Sequence, residues 1–249
     1  MCSSDLKHQI RQVRNATDAH RRMATEWLLH VDADEYLYPA VPVEQVLDRI
    51  YPWTHCAIVP VAERVFCEGD PELTIYEGAF RRPFTGKDLD ARRLFGQDYD
   101  LTLRGLTGHA VGKSFTRRGE KMVVSIHRPK LDGPGVLRSE PARDLTLLHF
   151  EGLTPLHWVL KLLRKAHAFA HANGMQPTVH RQRQIDAILH DPTAAMALHD
   201  RLKRIDDGQR DLLVELRLLD QTQFNPDEAL QQVFSSHDID VSADTFDQW

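Results

Sequence analysis

Leu6, Ile10, Val13 and Ala16 recur on one face of an otherwise polar stretch, which predicts a helix over residues 5–25. Trp27-Leu28-Leu29-His30-Val31 is a short apolar run that ends in acids, the pattern of a buried strand. Pro39 and Pro42 then break the chain, and residues 43–50 read as a short helix. His55 to Val61, rich in β-branched and apolar residues, predicts a second strand. Residues 66–108 carry more Gly, Pro and charge and read as irregular chain with short strands and turns. Lys121 to His127 alternates as a strand does, Asp132-Gly133-Pro134-Gly135 is a turn, and Leu145 to Phe150 is another short apolar strand.

The pattern then changes period. Thr154-Pro155 has the form of a helix start, with threonine as the N-cap and proline in the first helical position. Leu156, Val159, Leu160, Leu163, Ala166 and Ala170 follow at helical spacing. Asp191-Pro192 and Asn225-Pro226 repeat the cap-plus-proline signal. The expected organisation is an α/β region over 1–153 and a mainly helical region over 154–249 packed on it.

Composition narrows the classes. The chain has 249 residues, 42% of them apolar and 27% charged, which suits a globular protein. Its net charge of −5 lacks the basic excess of a dedicated nucleic-acid binder. There is no run of apolar residues long enough for a membrane-spanning helix, and the first residues lack the apolar core of a secretory signal. Cys2, Cys56 and Cys67 are scattered and form no CxxC pair, so neither a disulfide framework nor a cysteine zinc site is indicated. A cytoplasmic setting is expected.

The candidate chemistry lies in Asp32-Ala33-Asp34-Glu35, three carboxylates directly after an apolar strand. In α/β sheets ligands gather beyond the carboxyl ends of strands. Carboxylates clustered there repel one another unless a cation is present. If the segment is extended, Asp32 and Asp34 share a side, because side chains alternate with period two. Two carboxylates so placed can hold a hard divalent ion that also grips a diphosphate.

Trp27-Leu28-Leu29-His30-Val31-Asp32-Ala33-Asp34-Glu35-Tyr36-Leu37 resembles the W-(apolar)-D-x-D-E-(aromatic)-L signature of a family-2-like branch of bacterial glycosyltransferases. Val111-Gly112-Lys113-Ser114-Phe115, Ile126-His127-Arg128-Pro129-Lys130 and the stretch from His149 to Trp158 are similar to that branch as well, in order, over roughly residues 20–165. The resemblance implies an α/β fold of the GT-A type. It implies transfer of a sugar from a nucleotide-sugar donor to an acceptor hydroxyl of a carbohydrate or glycoconjugate, as in polysaccharide synthesis. It implies a Mn²⁺ or Mg²⁺ cofactor bridging the donor diphosphate. Asp34 takes the position of the direct ligand, and Asp32 reaches the ion or the ribose. Glu35 takes a supporting position.

His149 is a third metal candidate, because His-Phe-x-Gly followed by proline is similar to a metal-completing stretch of glycogenin-like transferases. Pro155 stands where that stretch carries lysine, so its phosphate lysine is not transferred. Lys113 is a candidate contact for phosphate or acceptor. Glu63, Asp98 and Glu151 are the candidate general bases, unranked. In the family a nucleotide-binding part precedes the acidic motif. Only 31 residues do so here, so the resemblance implies that this N-terminal part is absent from the chain.

Two other readings use the same residues. In an aspartate-nucleophile phosphatase, Asp32 attacks phosphorus and Asp34 acts as acid, though Glu35-Tyr36 departs from the small pair expected there. A degenerate transferase domain would bind carbohydrate or a partner protein without catalysis. The Gly108 to Ser114 stretch misses the phosphate-loop spacing by one residue, since position 107 is Thr107. His167 and His171 have metal-ligand spacing, but Ala168 stands where a zinc-protease glutamate belongs.

Overall fold

The structure is a computed structural model describing residues 4–69, 74–170, 176–222, 224–234 and 240–248. Cys2 and His171 lie outside the described residues. The architecture is mixed α/β. Among the described residues no helix is long and apolar enough to cross a membrane.

Helix α1 (Ser4–Arg22) buries Ala16, Thr17 and His20, with Val13 half-buried and Ile10 exposed. The buried stripe thus runs onto polar side chains that find partners. Thr17 Oγ1 accepts from the Val124 amide at 3.0 Å, and His20 Nε2 lies 2.9 Å from the Arg117 carbonyl. Strand β1 (Trp27–Leu29) follows, then β2 (Glu35–Pro39) and α2 (Val43–Leu47). Strand β3 (Cys56–Val59) and β4 (Val61–Cys67) are separated by Pro60, which has no N–H to give a ladder. The Pro60 carbonyl instead accepts from the Leu147 amide at 2.8 Å.

The stretch expected to be irregular contains β5 (Ala79–Arg81), helix α3 (Asp88–Phe95) and a 3₁₀ turn (Gly96–Leu101). Ala91 of α3 is buried and Leu94 and Phe95 pack against the core, an inward face only about one turn long. Lys113 to Arg117 form β6. Of the strand expected over 121–127 only Met122–Val123 (β7) forms, and it pairs with Lys130–Leu131 (β8). Strands β9 (Ser139–Pro141) and β10 (Leu145–His149) follow.

Helix α4 (Pro155–Ala170) starts where the cap signal placed it, and Thr154 Oγ1 accepts from the His157 amide at 3.1 Å. Then come α5 (Val179–His190), a 3₁₀ turn (Pro192–Ala194) capped by Asp191, and α6 (Ala195–Lys203). Strand β11 (Arg204–Ile205), α7 (Asp207–Glu215), β12 (Leu219–Asp220), α8 (Asp227–Val233) and α9 (Ala243–Asp247) complete the order. The C-terminal part is mainly helical, as its spacing indicated.

The chain forms two compact units, each assembled from three segments. The first comprises Met1–Ala62, Val111–His149 and Ala168–Met175, and the second the remainder. The boundary expected after Leu153 falls inside the second unit. In the first unit a four-stranded sheet runs β1-β6-β3-β9, antiparallel except for the parallel β3/β9 pair, and β10 pairs antiparallel with β2. Its core includes Cys56, Ala57, Val59, Leu145, Leu147 and Leu148. In the second unit β5 pairs antiparallel with the later residues of β4, β12 adds to β5, and β11 lies parallel to β4. Val65, Cys67, Ala79, Ile205, Leu213 and Leu219 form a core there.

Candidate functional site

Strand β1 stops at Leu29, and the acidic tract folds back on itself. The Glu35 amide donates to the Asp32 carbonyl at 3.1 Å, and the Asp32 amide donates to Glu35 Oε2 at 2.7 Å. The period-two alternation expected for Asp32 and Asp34 therefore does not arise. A turn needs fewer residues than a strand to reverse the chain into β2, and the buried Glu35 carboxylate closes it from within.

Lys113, at the start of β6, supplies the counter-charge. Its wholly buried ammonium lies 2.7 Å from Asp32 Oδ2 and 3.1 Å from Glu35 Oε2. The other oxygen of Asp32 accepts from Gln12 Nε2 on α1 at 3.2 Å. Burial alone would raise the Asp32 carboxyl. The Lys113 hydrogen bond and charge outweigh it and hold Asp32 below its ordinary value. The nearby His30 imidazole is pushed down by burial and by the Lys113 charge.

His149 ends β10, and its Cα pairs with that of Glu35 in the β2/β10 ladder. His149 Nε2 lies 3.9 Å from Asp34 Oδ2, and a His149 ring nitrogen and a Glu35 carboxylate oxygen come within 4.8 Å. Thus the fold brings Asp34, Glu35 and His149 together in the first unit, with Asp32 and Lys113 beside them. His149 is buried, and the Asp34 side chain keeps 25% of its surface in water.

This donor set fits a divalent ion. A partly exposed carboxylate and an imidazole nitrogen suit Mn²⁺ better than Mg²⁺, which prefers oxygen alone. An ion held by so few protein groups leaves positions for phosphate oxygens and water. Lys113 is not placed as a solvent-facing phosphate contact. It neutralises the turn that carries Asp34.

The three candidate bases lie in the second unit. Glu63, wholly buried on β4, accepts from the Thr107 amide and hydroxyl at 2.7 Å each, from the Gly108 amide at 2.6 Å and from Lys203 Nζ at 2.8 Å. Glu151 is buried among Arg181 at 3.1 Å, Lys161 at 3.4 Å and Lys165 at 3.6 Å. Asp98 pairs with Arg201 at 3.1 Å. Gly152, in the same His-Phe-Glu-Gly stretch, has φ +80 and turns the chain toward the α4 cap. Cys56 and Cys67 are buried, and burial pushes the Cys56 thiol up to about 11.

The structure brings together Asp32, Asp34, Lys113 and His149, which the sequence singles out, and the turn geometry gives Glu35 a supporting position. The sequence does not mark Gln12, which sits on a polar helix with no local signal, or His30, whose place in an apolar run reads as part of a strand. No protein-family profile, curated protein or solved structure matches this chain.

Proposed function

We propose that this chain is a metal-dependent glycosyltransferase domain of the GT-A type, using a nucleotide-sugar donor. The single observation that carries the reading is the approach of Asp34 to His149 at 3.9 Å. Two residues 115 positions apart, each picked out by a motif that resembles the same enzyme class, meet at the end of the β2/β10 pair.

Asp34 and His149 would hold the ion, whose chemistry when bound is to neutralise charge on a departing nucleoside diphosphate. The chain's own residues do the rest of the positioning. Glu35 and the Asp32 backbone fix the turn so that Asp34 projects toward β10. Lys113 removes the repulsion that three adjacent carboxylates would otherwise exert on one another. Asp32 is held by Lys113 and Gln12, while Asp34 approaches His149. The partly exposed Asp34 and the buried His149 set the open and closed sides of the site.

The test is calorimetry of nucleoside diphosphates with and without Mn²⁺. Binding that requires the metal and disappears in both Asp34→Ala and His149→Ala is the expected result. Metal-independent binding, or binding that survives both substitutions in folded protein, overturns the reading.

A further inference from the structure

Tyr51 and Trp53 stand in water, each 56% exposed, yet their rings stack with centroids 4.9 Å apart and planes 8° apart. Single exposed apolar side chains are ordinary, but a stacked pair fixed in place is a prepared surface. The turn that carries it is held by several hydrogen bonds. The Thr54 amide donates to the Tyr51 carbonyl at 2.9 Å. Arg117 donates to the carbonyls of Thr54 at 3.0 Å, Tyr51 at 3.2 Å and Ile50 at 3.3 Å. Arg117 is itself held by Glu26 and by the Trp27 ring, whose centroid lies 4.1 Å from the guanidinium carbon.

Beside this pair lies a cleft of about 190 Å³, lined among others by Trp53, His55, Arg118, Glu120 and Arg138. Tyr51 covers one face of the indole, and the indole also walls the cleft. Arg138 is seated by its amide, which donates to His55 Nδ1 at 3.0 Å, and its exposed side chain has no ion-pair partner among the described residues. Arg118 spends one guanidinium nitrogen on the Ala24 carbonyl at 2.9 Å. Against these cations stands one lining carboxylate, Glu120.

We propose that this cleft binds one ring of an acidic saccharide. The C–H face of the ring packs on Trp53, the carboxylate pairs with Arg138 and Arg118, and Glu120 accepts from a hydroxyl. The cation excess selects an anion, and guanidinium forks match a carboxylate. Size selects the class. The cleft is smaller than the roughly 300–1,000 Å³ of ordinary small-molecule sites, so it takes a single ring and leaves the rest of a chain outside. None of the lining residues belongs to the Asp34–His149 pair, so the proposal stands independently of the reading of that pair.

The test is titration of the full chain with trigalacturonate, with neutral maltotriose and UDP as comparison arms, followed by calorimetry. Trigalacturonate should saturate, and maltotriose should bind roughly tenfold more weakly or worse, the scale of one charge-assisted contact. Trp53→Ala should abolish binding, and Arg138→Ala should bring trigalacturonate down to the maltotriose level. Both positions are exposed, and an unchanged melting temperature checks the fold. If Trp53→Ala does melt early, Trp53→Phe keeps a ring and should retain part of the affinity. Asp34→Ala should bind trigalacturonate as wild type does. The proposal is overturned by absence of saturation, by equal affinity for the neutral sugar, by unchanged affinity in the folded variants, or by preference for UDP.

Discussion

Lys113 Nζ lies 2.7 Å from Asp32 Oδ2, and the lysine side chain has no exposed surface of its own. A buried ammonium needs compensating charge and acceptors, and here a second carboxylate, Glu35, lies 3.1 Å away. The pairing explains how a DADE tract can close a tight turn despite its three adjacent carboxylates. It also makes the turn dependent on a residue from another strand. Lys113→Met should cost about 3–5 kcal/mol, because it leaves two carboxylates uncompensated. Adding Glu35→Gln should recover part of that loss, since glutamine still accepts from the Asp32 amide. Urea denaturation of both variants checks this; equal stability of the single and double variants would show that the Glu35 charge is not the source of the cost.

Gly112 matters for space. A Cβ there would sit 1.7 Å from the Val59 carbonyl oxygen, so the backbone leading into β6 passes directly against the end of β3. Gly112→Ala should destabilise by about 1–3 kcal/mol or more through overpacking. It should also displace Lys113, its neighbour, and so weaken any metal-dependent nucleotide binding beyond what the stability loss explains. Calorimetry below the melting range reads the second effect separately from the first.

The legible parts of this chain were those with a local physical cause. Helix α4 was readable because Thr154 caps, Pro155 opens and apolar residues recur at helical spacing, all within one segment. Strand β10 was readable as a short apolar run. Helix α3 was not, because its inward residues, Ala91, Leu94 and Phe95, span only about one turn. The acidic tract stands out in the sequence, but its shape does not, since the turn is imposed by Glu35 reaching back to the Asp32 amide and by Lys113 arriving from 81 residues away. Pairing between distant segments leaves no local mark. For the same reason the close backbone approach at Gly112 leaves no mark in the sequence around it.

Glu63 shows how an apparent candidate base can be structural. Its carboxylate gathers two amides, a hydroxyl and the buried Lys203 ammonium. Glu63→Leu should cost about 3–5 kcal/mol, because it strands a buried cation and two amides. Combining it with Lys203→Met should cost less than the two single changes added together. A double-mutant cycle by chemical denaturation measures that coupling, and strict additivity would mean that the pair does not act as a unit.

His180 gives the stability of the second unit a pH dependence whose sign is fixed. Its Nε2 donates to the Gly108 carbonyl at 3.0 Å, and the side chain is buried. Burial first, and the neighbouring Arg181 charge second, push its pKa down to about 4, against the pull of that carbonyl. The unfolded chain takes up the proton near pH 6.5, whereas the folded chain does not until about 4. Across that window the unfolded state binds more protons, so stability falls as the pH falls. The loss is on the order of 3 kcal/mol by pH 4 and is absent above pH 7. His180→Gln keeps a donor for Gly108 but cannot titrate. Denaturation midpoints followed from pH 7 to pH 4 should therefore decline less steeply in the variant than in the wild type. The carboxylates common to both proteins cancel in that difference. Parallel declines would mean that the buried imidazole is already charged in the fold, and the Gly108 contact would then have to hold an imidazolium.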